Sequence, residues 1–348
     1  MASKNPYTVS FGKIPVKYLS RRSIVDSITE ALESDIPDEQ AFKLTGIRGT
    51  GKTVTLTKIE RYFSDNNDWI VIDLRSDTDM LEKLVAELYS SVKFVTDFVD
   101  ANLNLSAFGI GINISKKSPV ASIDYALETL LKELKKKKKR LLVAIDEAHK
   151  SKGMIDFIQE FQILIRKELP IFLVAAGLYE DIESLENADG LTFFLRASKY
   201  EMTPLNMTYI RDDYIKTLNV SFDVAENMAF MTKGYAYAYQ ALGKYMWDTE
   251  SKKLTKEVLQ MFDEVLFDKV YKKIWSELAP KDRWYLSFIV KKETIEATEL
   301  LEITKTTHSE WSVPRSRLKD KGIIDVSKRG TITLKLPRFK EFVEEQEL

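Results

Sequence analysis

"LTGIRGTGKTVTLTKIERYF", Leu44 to Phe63, places a glycine-punctuated loop between a short apolar strand, "AFKLT" (41–45), and an amphipathic helix. Its spacing is Gly46-x4-Gly51-Lys52-Thr53, the P-loop signature in the strand-to-helix position that the signature needs. The glycines let backbone N–H groups curl round anionic oxygens, and the helix start adds positive potential. Gly46, Ile47, Arg48, Gly49, Thr50, Gly51 and Val54 are therefore expected to line a phosphate cradle. Lys52 would reach the terminal phosphates, and the Thr53 hydroxyl would ligate Mg2+.

A second stretch supports this. "LLVAIDEAH" (141–149) is an apolar strand ending in Asp146-Glu147, where both carboxylates can emerge at the carboxyl edge of a sheet. Asp146 would hold magnesium through water. Glu147 would orient or deprotonate the attacking water, so nucleotide hydrolysis, beyond nucleotide binding, is the expected chemistry. His149 reads as a polar residue at the strand exit.

Working outward, residues 23–33 are an amphipathic helix, "WIVIDL" (69–74) a second buried strand, and Met80 to Val92 a helix. "LNLSAFGIGINIS" (103–115) alternates around glycines as a hairpin or flap would. A helix over 121–139 ends in a lysine run, Lys135 to Arg140. "RLLVAID" gives a third strand, 154–169 a helix, and "IFLVAAGL" a fourth strand. Alternation of this kind implies a mostly parallel sheet covered on both faces. From Leu205 to Asp248 only helical periodicity remains, broken near Asn219 to Asp223 and at Lys233-Gly234. A helix over Thr255 to Leu278 then leads to three short helices and two strands around Lys328-Arg329-Gly330, the order of a winged helix. The expected division is 1–204 for the α/β P-loop core, 205–254 for an all-helical lid and 255–348 for a winged-helix domain.

The chain has 348 residues, enough for two or three packed units. Lys+Arg 52 against Asp+Glu 53 leaves a net charge of -1, so a nucleic-acid role must rest on a local surface. Without cysteine, disulfides and thiolate zinc sites are excluded, and His149 and His308 leave little scope for histidine metal chemistry. The opening "MASKNPYTVSFGK" lacks the apolar core of a signal peptide, and no apolar stretch approaches the roughly 20 residues that span a bilayer. The expectation is a cytoplasmic protein with no membrane partner.

On these motifs the chain resembles the AAA+ ATPases, and more closely the origin-recognition-like bacterial ATP-binding proteins with a helical lid and a C-terminal winged helix. The resemblance implies that Val16 to Arg22, within "YLSRRSIVDSITEAL", lie near adenine, and that nucleotide bridges core and lid. It also implies that Arg196, in "FFLRASKYEMTPL", acts as an arginine finger on a neighbouring subunit's nucleotide, so a homo-oligomer is expected. Two departures stand out. The fourth strand ends "AAGL" without the polar residue that helps position water, and the lid sequence "KGYAYAYQALGKYMW" lacks the arginine that senses the γ-phosphate. Slow or partner-stimulated hydrolysis is the expectation, with Tyr235, Tyr237 and Tyr239 packing the lid.

Duplex DNA is the leading expected partner, as for an initiator or transposition regulator. The contacts would come from Arg315, Arg317, Lys319 and Lys321 on the helix "VPRSRLKDKG", and from Lys328 and Arg329 at the wing tip. The lysine run reads instead as a solvated helix C-terminus whose cations suit the macrodipole. The alternative is a signal-transducing nucleotide switch whose winged helix meets a protein partner. A small-molecule kinase is disfavoured, because no second substrate pocket is evident.

Overall fold

The structure is a computed structural model that describes residues 4–10, 14–77, 79–91, 93, 95, 97, 104–110 and 122–346. They group into two units, Arg21–Thr45 with Lys52–Glu201, and Met1–Ser20 with Gly46–Gly51 and Met202–Leu348.

The first unit is an α/β layer structure. Its elements are α1 (Arg22–Glu33), β1 (Ala41–Thr45), α2 (Lys52–Ser64), β2 (Trp69–Arg75), α3 (Met80–Ser91), α4 (Ile123–Lys136), β3 (Arg140–Asp146), α5 (Lys152–Arg166), β4 (Ile171–Gly177), α6 (Tyr179–Glu186), α7 (Thr192–Arg196) and β5 (Ser198–Glu201). The strands lie in the order β2-β3-β4-β1-β5, and every pairing is parallel. β1 and β4 are buried along their whole length, as central strands of a covered parallel sheet must be. On α4, Ile123, Ala126, Leu127, Leu130, Leu131 and Leu134 form the buried stripe expected of a helix laid on such a sheet.

Two sequence expectations change here. The fifth strand has no apolar run, because it lies at the sheet edge and alternates half-buried with exposed residues. Within 103–115, the described residues 104–110 contain a 3-10 turn, Ser106–Phe108, where the sequence pattern predicts a hairpin or flap. Asn104 Oδ1 accepts from Ser106 N at 3.1 Å, which stabilises a turn against extension. The remainder of that stretch lies outside the described residues.

The second unit is mainly helical. α8 (Met207–Leu218), α9 (Phe222–Thr232) and α10 (Ala236–Asp248) form a three-helix layer. The Asn206 and Ser221 side chains cap the starts of α8 and α9, and left-handed Asn219 and Lys233 end them. The N-terminal segment packs on this layer: Gln240 accepts from Thr8 N at 3.0 Å and donates to Lys17 O at 2.7 Å. The hydroxyls of Tyr7 and Tyr239 both donate to Asp213 Oδ2, at 2.6 and 2.7 Å.

α11 (Lys256–Leu266) continues through a π turn, Phe267–Tyr271, into α12 (Lys272–Ser276). There follow α13 (Pro280–Ile289), β6 (Thr294–Glu296), α14 (Ala297–Thr304), α15 (His308–Asp320), β7 (Ile324–Asp325), β8 (Thr331–Leu334) and α16 (Phe339–Gln346). The three strands form an antiparallel sheet in the order β6-β8-β7. β6 adds a strand that the sequence reading folded into the following helix. Three residues are too short to show a period of their own.

Candidate functional site

Lys52 opens α2, and Thr53 lies in its first turn. The Thr53 hydroxyl donates to Asp146 Oδ2 at 2.7 Å, at the end of β3, while Asp146 Oδ1 accepts from Glu147 N at 3.0 Å. This fixes the Asp146 carboxylate in one orientation. Glu147 is exposed and has φ 53°, a left-handed conformation uncommon for a residue with a Cβ. The chain beyond it is tied on both sides. Ala148 N donates to Ala176 O at 2.8 Å, and the Ser76 hydroxyl donates to His149 O at 2.9 Å. His149 Nδ1 lies 2.8 Å from Glu147 O, a local bond at the strand exit.

The tie to β4 accounts for the sequence "AAG". A Cβ on Gly177 would lie 2.6 Å from Ala148 O and 2.9 Å from Ile182 Cδ1. The turn after the acidic pair thus occupies the space a polar side chain would need.

The electrostatics favour a cation. Burial pushes the Glu60 carboxyl up to about 7, with the charges of Asp73 and Asp146 adding to the effect. Asp73 is likewise held above its ordinary value, first by burial and then by Asp146. A hydroxyl joined to an oriented carboxylate, amid mutually repelling acids, is a donor set suited to a hard divalent ion such as Mg2+.

The loop residues Gly46–Gly51 belong to the helical unit. Inside the loop the Thr50 hydroxyl donates to Ile47 O at 2.8 Å. The start of α10 grips the loop backbone: the Tyr235 hydroxyl donates to Arg48 O at 2.5 Å, and Tyr237 N donates to Gly49 O at 3.0 Å. Gly49 has φ +76°, and a Cβ there would lie 2.2 Å from the Tyr235 hydroxyl. Burial raises the pKa of Tyr235 and so keeps its hydroxyl a neutral donor, whereas Tyr237 holds the loop through its backbone N–H. Tyr239 packs within the helical unit, whereas Tyr235 and Tyr237 also hold the glycine loop. The signal was available in their position next to the lid glycine, although nothing in the sequence showed their reach.

Further along the same unit, a Cβ on Gly322, just after α15, would lie 2.3 Å from Ile47 Cγ2. Arg48 Nη2 lies 3.4 Å from Glu277 Oε1. The variable positions of the loop therefore touch the start of α10 and the C-terminal elements.

The basic residues separate into two groups. Arg315 and Lys319 on α15, and Lys328 and Arg329 between β7 and β8, are exposed. Arg317 is bound through Nε and Nη2 to the two carboxylate oxygens of Asp282, at 2.9 and 2.5 Å, and Asp282 is fully buried. Its charge is committed to holding α15 on α13. Sequence reasoning missed Asp282 because a lone acid near a helix start carries no such signal.

Arg196 is exposed at the end of α7. Of the expected adenine-side residues, Val16 is 73% exposed, and Arg21 caps α1, accepting from Ile24 N and Val25 N at 3.0 and 3.1 Å. In the lysine run, Lys135 and Lys139 bond to the carbonyls of Glu168 and Asn67, and Arg140 Nη1 to those of Leu32 and Ser34.

The sheet order and the strand-to-helix loop give the fold of a P-loop protein of the AAA+ type. Among solved structures the chain is similar to the Aeropyrum pernix ORC2 protein, determined as ADPNP and ADP complexes, with TM-score 0.55 and 14% identity over 97% of this chain and 96% of that one. It is also similar to Cdc6p from Pyrobaculum aerophilum (TM-score 0.49, 15% identity, 97% and 96% covered). A third is the A. pernix ORC1 protein in complex with DNA (TM-score 0.44, 17% identity, 94% and 93% covered). At such identity the likeness concerns the fold, which is that of an origin-recognition-like AAA+ P-loop protein across nearly the whole chain. Residues 268–343 match a family described as a domain of unknown function, DUF8462. No curated protein matches the sequence. Among the described residues no helix is long and apolar enough to cross a membrane.

Proposed function

We propose that the chain binds and hydrolyses ATP and uses the nucleotide state to control a DNA-contacting C-terminal winged helix. The observation that carries the reading is the Thr53–Asp146 bond at 2.7 Å, which joins the two motifs that must act together on a nucleotide. The ADPNP and ADP bound to the structurally similar ORC2 protein support it.

In this mechanism the loop N–H groups and Lys52 hold the phosphates. Mg2+, held by the Thr53 hydroxyl and through water by Asp146, would supply positive charge on the phosphate oxygens. Glu147 orients the attacking water and accepts its proton as the bond from water oxygen to γ-phosphorus forms and the bond to the ADP oxygen breaks. Arg196 from a neighbouring subunit would stabilise charge developing on the transferring group. The exposed Arg315, Lys319, Lys328 and Arg329 suit phosphate contacts along a duplex.

A second reading, in which the C-terminal region meets a protein, is favoured by one observation. Val313, two residues from Arg315 on α15, is 56% exposed. The deciding experiment is binding of a generic duplex across a salt series, with and without ATP. Affinity falling with salt, and weakened in Arg315→Ala/Lys319→Ala, supports the first reading. No binding at low salt in either nucleotide state defeats it in favour of the second.

A further inference from the structure

A charged side chain in the middle of a central parallel strand is costly unless every proton finds an acceptor. Lys43, on β1 between β4 and β5, is fully buried. Its Nζ lies 2.7 Å from Glu186 Oε1, 2.6 Å from Phe194 O and 3.4 Å from Leu195 O. Glu186, itself buried at the end of α6, also accepts from Lys199 on β5, through Oε1 at 3.1 Å and Oε2 at 3.0 Å. Two of Lys43's acceptors are last-turn carbonyls of α7, where a cation also suits the helix dipole. The next residue of the chain is Arg196.

The short helix α7 has five residues, too few to be stable by itself. Its geometry depends on what holds its ends. On one side stands Lys43, three residues before the phosphate loop begins; on the other is the exposed Arg196. We infer that Lys43, bridged by Glu186 to Lys199, is a positioning residue that fixes the backbone carrying Arg196 for action on a neighbouring subunit's nucleotide. The inference rests on the proposed finger role of Arg196. A finger contributes only when its guanidinium is held in place before the reaction, and misplacement by about 1 Å can cost on the order of a hundredfold in rate. The buried ammonium supplies that rigidity through main-chain carbonyls, leaving the arginine side chain free to reach outward.

The test uses mixed full-length chains. Lys52→Ala supplies an arginine but holds no nucleotide, and Arg196→Ala holds nucleotide but supplies no arginine. Mixing should restore ATP turnover that neither chain shows alone. Adding Lys43→Met, or in a separate chain Glu186→Gln, to the Lys52→Ala partner should cut the restored rate by about tenfold or more. In an otherwise unmodified chain the same changes should move ATP affinity by less than about twofold. Hydrogen exchange at the amides of Arg196 and Ala197 should quicken in both variants while the amides of β3 and β4 remain protected, which separates local loosening from misfolding. Full restoration by both modified donors overturns the inference. If the mixture restores nothing even with Lys43 and Glu186 intact, the finger role of Arg196 fails, and the inference falls with it for a reason that the control identifies.

Discussion

The Thr53 hydroxyl and the Asp146 carboxylate stand 2.7 Å apart, so the start of α2 and the end of β3 share one hydrogen bond. Removing either oxygen should weaken ATP binding chiefly when magnesium is present. Titration calorimetry of Thr53→Ala and Asp146→Asn should show losses of about tenfold or more with magnesium and little change in chelator. Equal losses in both conditions would mean that the pair serves only to hold α2 in place.

The Glu147 side chain is exposed at the end of β3, so its replacement separates binding from chemistry. Glu147→Gln should bind ATP as the parent chain does and turn over about a hundredfold more slowly. Lys52→Ala should lose nucleotide binding itself. Turnover by Glu147→Gln at the parent rate would falsify the assigned role.

Glu60 gives a pH signature. Its carboxyl is pushed up to about 7 in the folded chain by burial, Asp73 and Asp146. The protonated form is favoured by folding, so the contribution to stability is present below the ordinary glutamate range and is lost as pH rises through about 7. Glu60→Gln should therefore melt as the parent does near pH 4 and higher than the parent near pH 8, by an amount of about 1 kcal/mol after allowance for solvent screening. Parallel melting curves across that interval would show that Glu60 titrates normally.

Tyr235 holds Arg48 O at 2.5 Å. Tyr235→Phe keeps the ring and removes the donor, and should lower stability by about 1 kcal/mol in thermal melts. It should also change ATP affinity, since the loop carbonyl is left to find another partner. An altered melting point with unchanged nucleotide binding would restrict Tyr235 to packing.

Arg317 and Arg315 should part company. Arg317→Ala leaves the buried Asp282 carboxylate unpaired, with an expected loss of about 2 to 4 kcal/mol visible in thermal melts. Arg315→Ala should leave the melting temperature in place and reduce the salt slope of DNA binding by about one contact. A salt slope untouched by Arg315, Lys319, Lys328 and Arg329 replacements would move the function of this surface to a protein partner.

What could be read from the chain alone follows from how local each signal is. The P-loop, the acidic pair and the buried strands are contiguous patterns whose physics is settled within a few residues. β1, β3 and β4 are legible because a central parallel strand is buried and mostly apolar, Lys43 in β1 being the exception, whereas β5 has no such run. Lys43 and Asp282 were opaque for another reason. Each is a charge whose meaning depends on a partner far along the chain, Glu186 and Arg317 respectively. The missing polar residue at the end of β4 was noticed in the sequence, but only the Ala148 carbonyl beside Gly177 gives it a cause.

The clasp on Ile47 and Arg48 has a thermodynamic corollary. Gly322, one residue beyond Lys321, the C-cap of α15, lies against Ile47, while Tyr235 holds the next peptide. A loop held in this way cannot rearrange round a phosphate without disturbing the end of α15. Under the proposed function, linkage would run in both directions: a partner bound at α15 would alter ATP affinity by the same factor by which ATP altered that binding. The chain would act as a two-input balance, in which nucleotide concentration and occupancy of the distant surface are weighed against each other through one short turn of backbone.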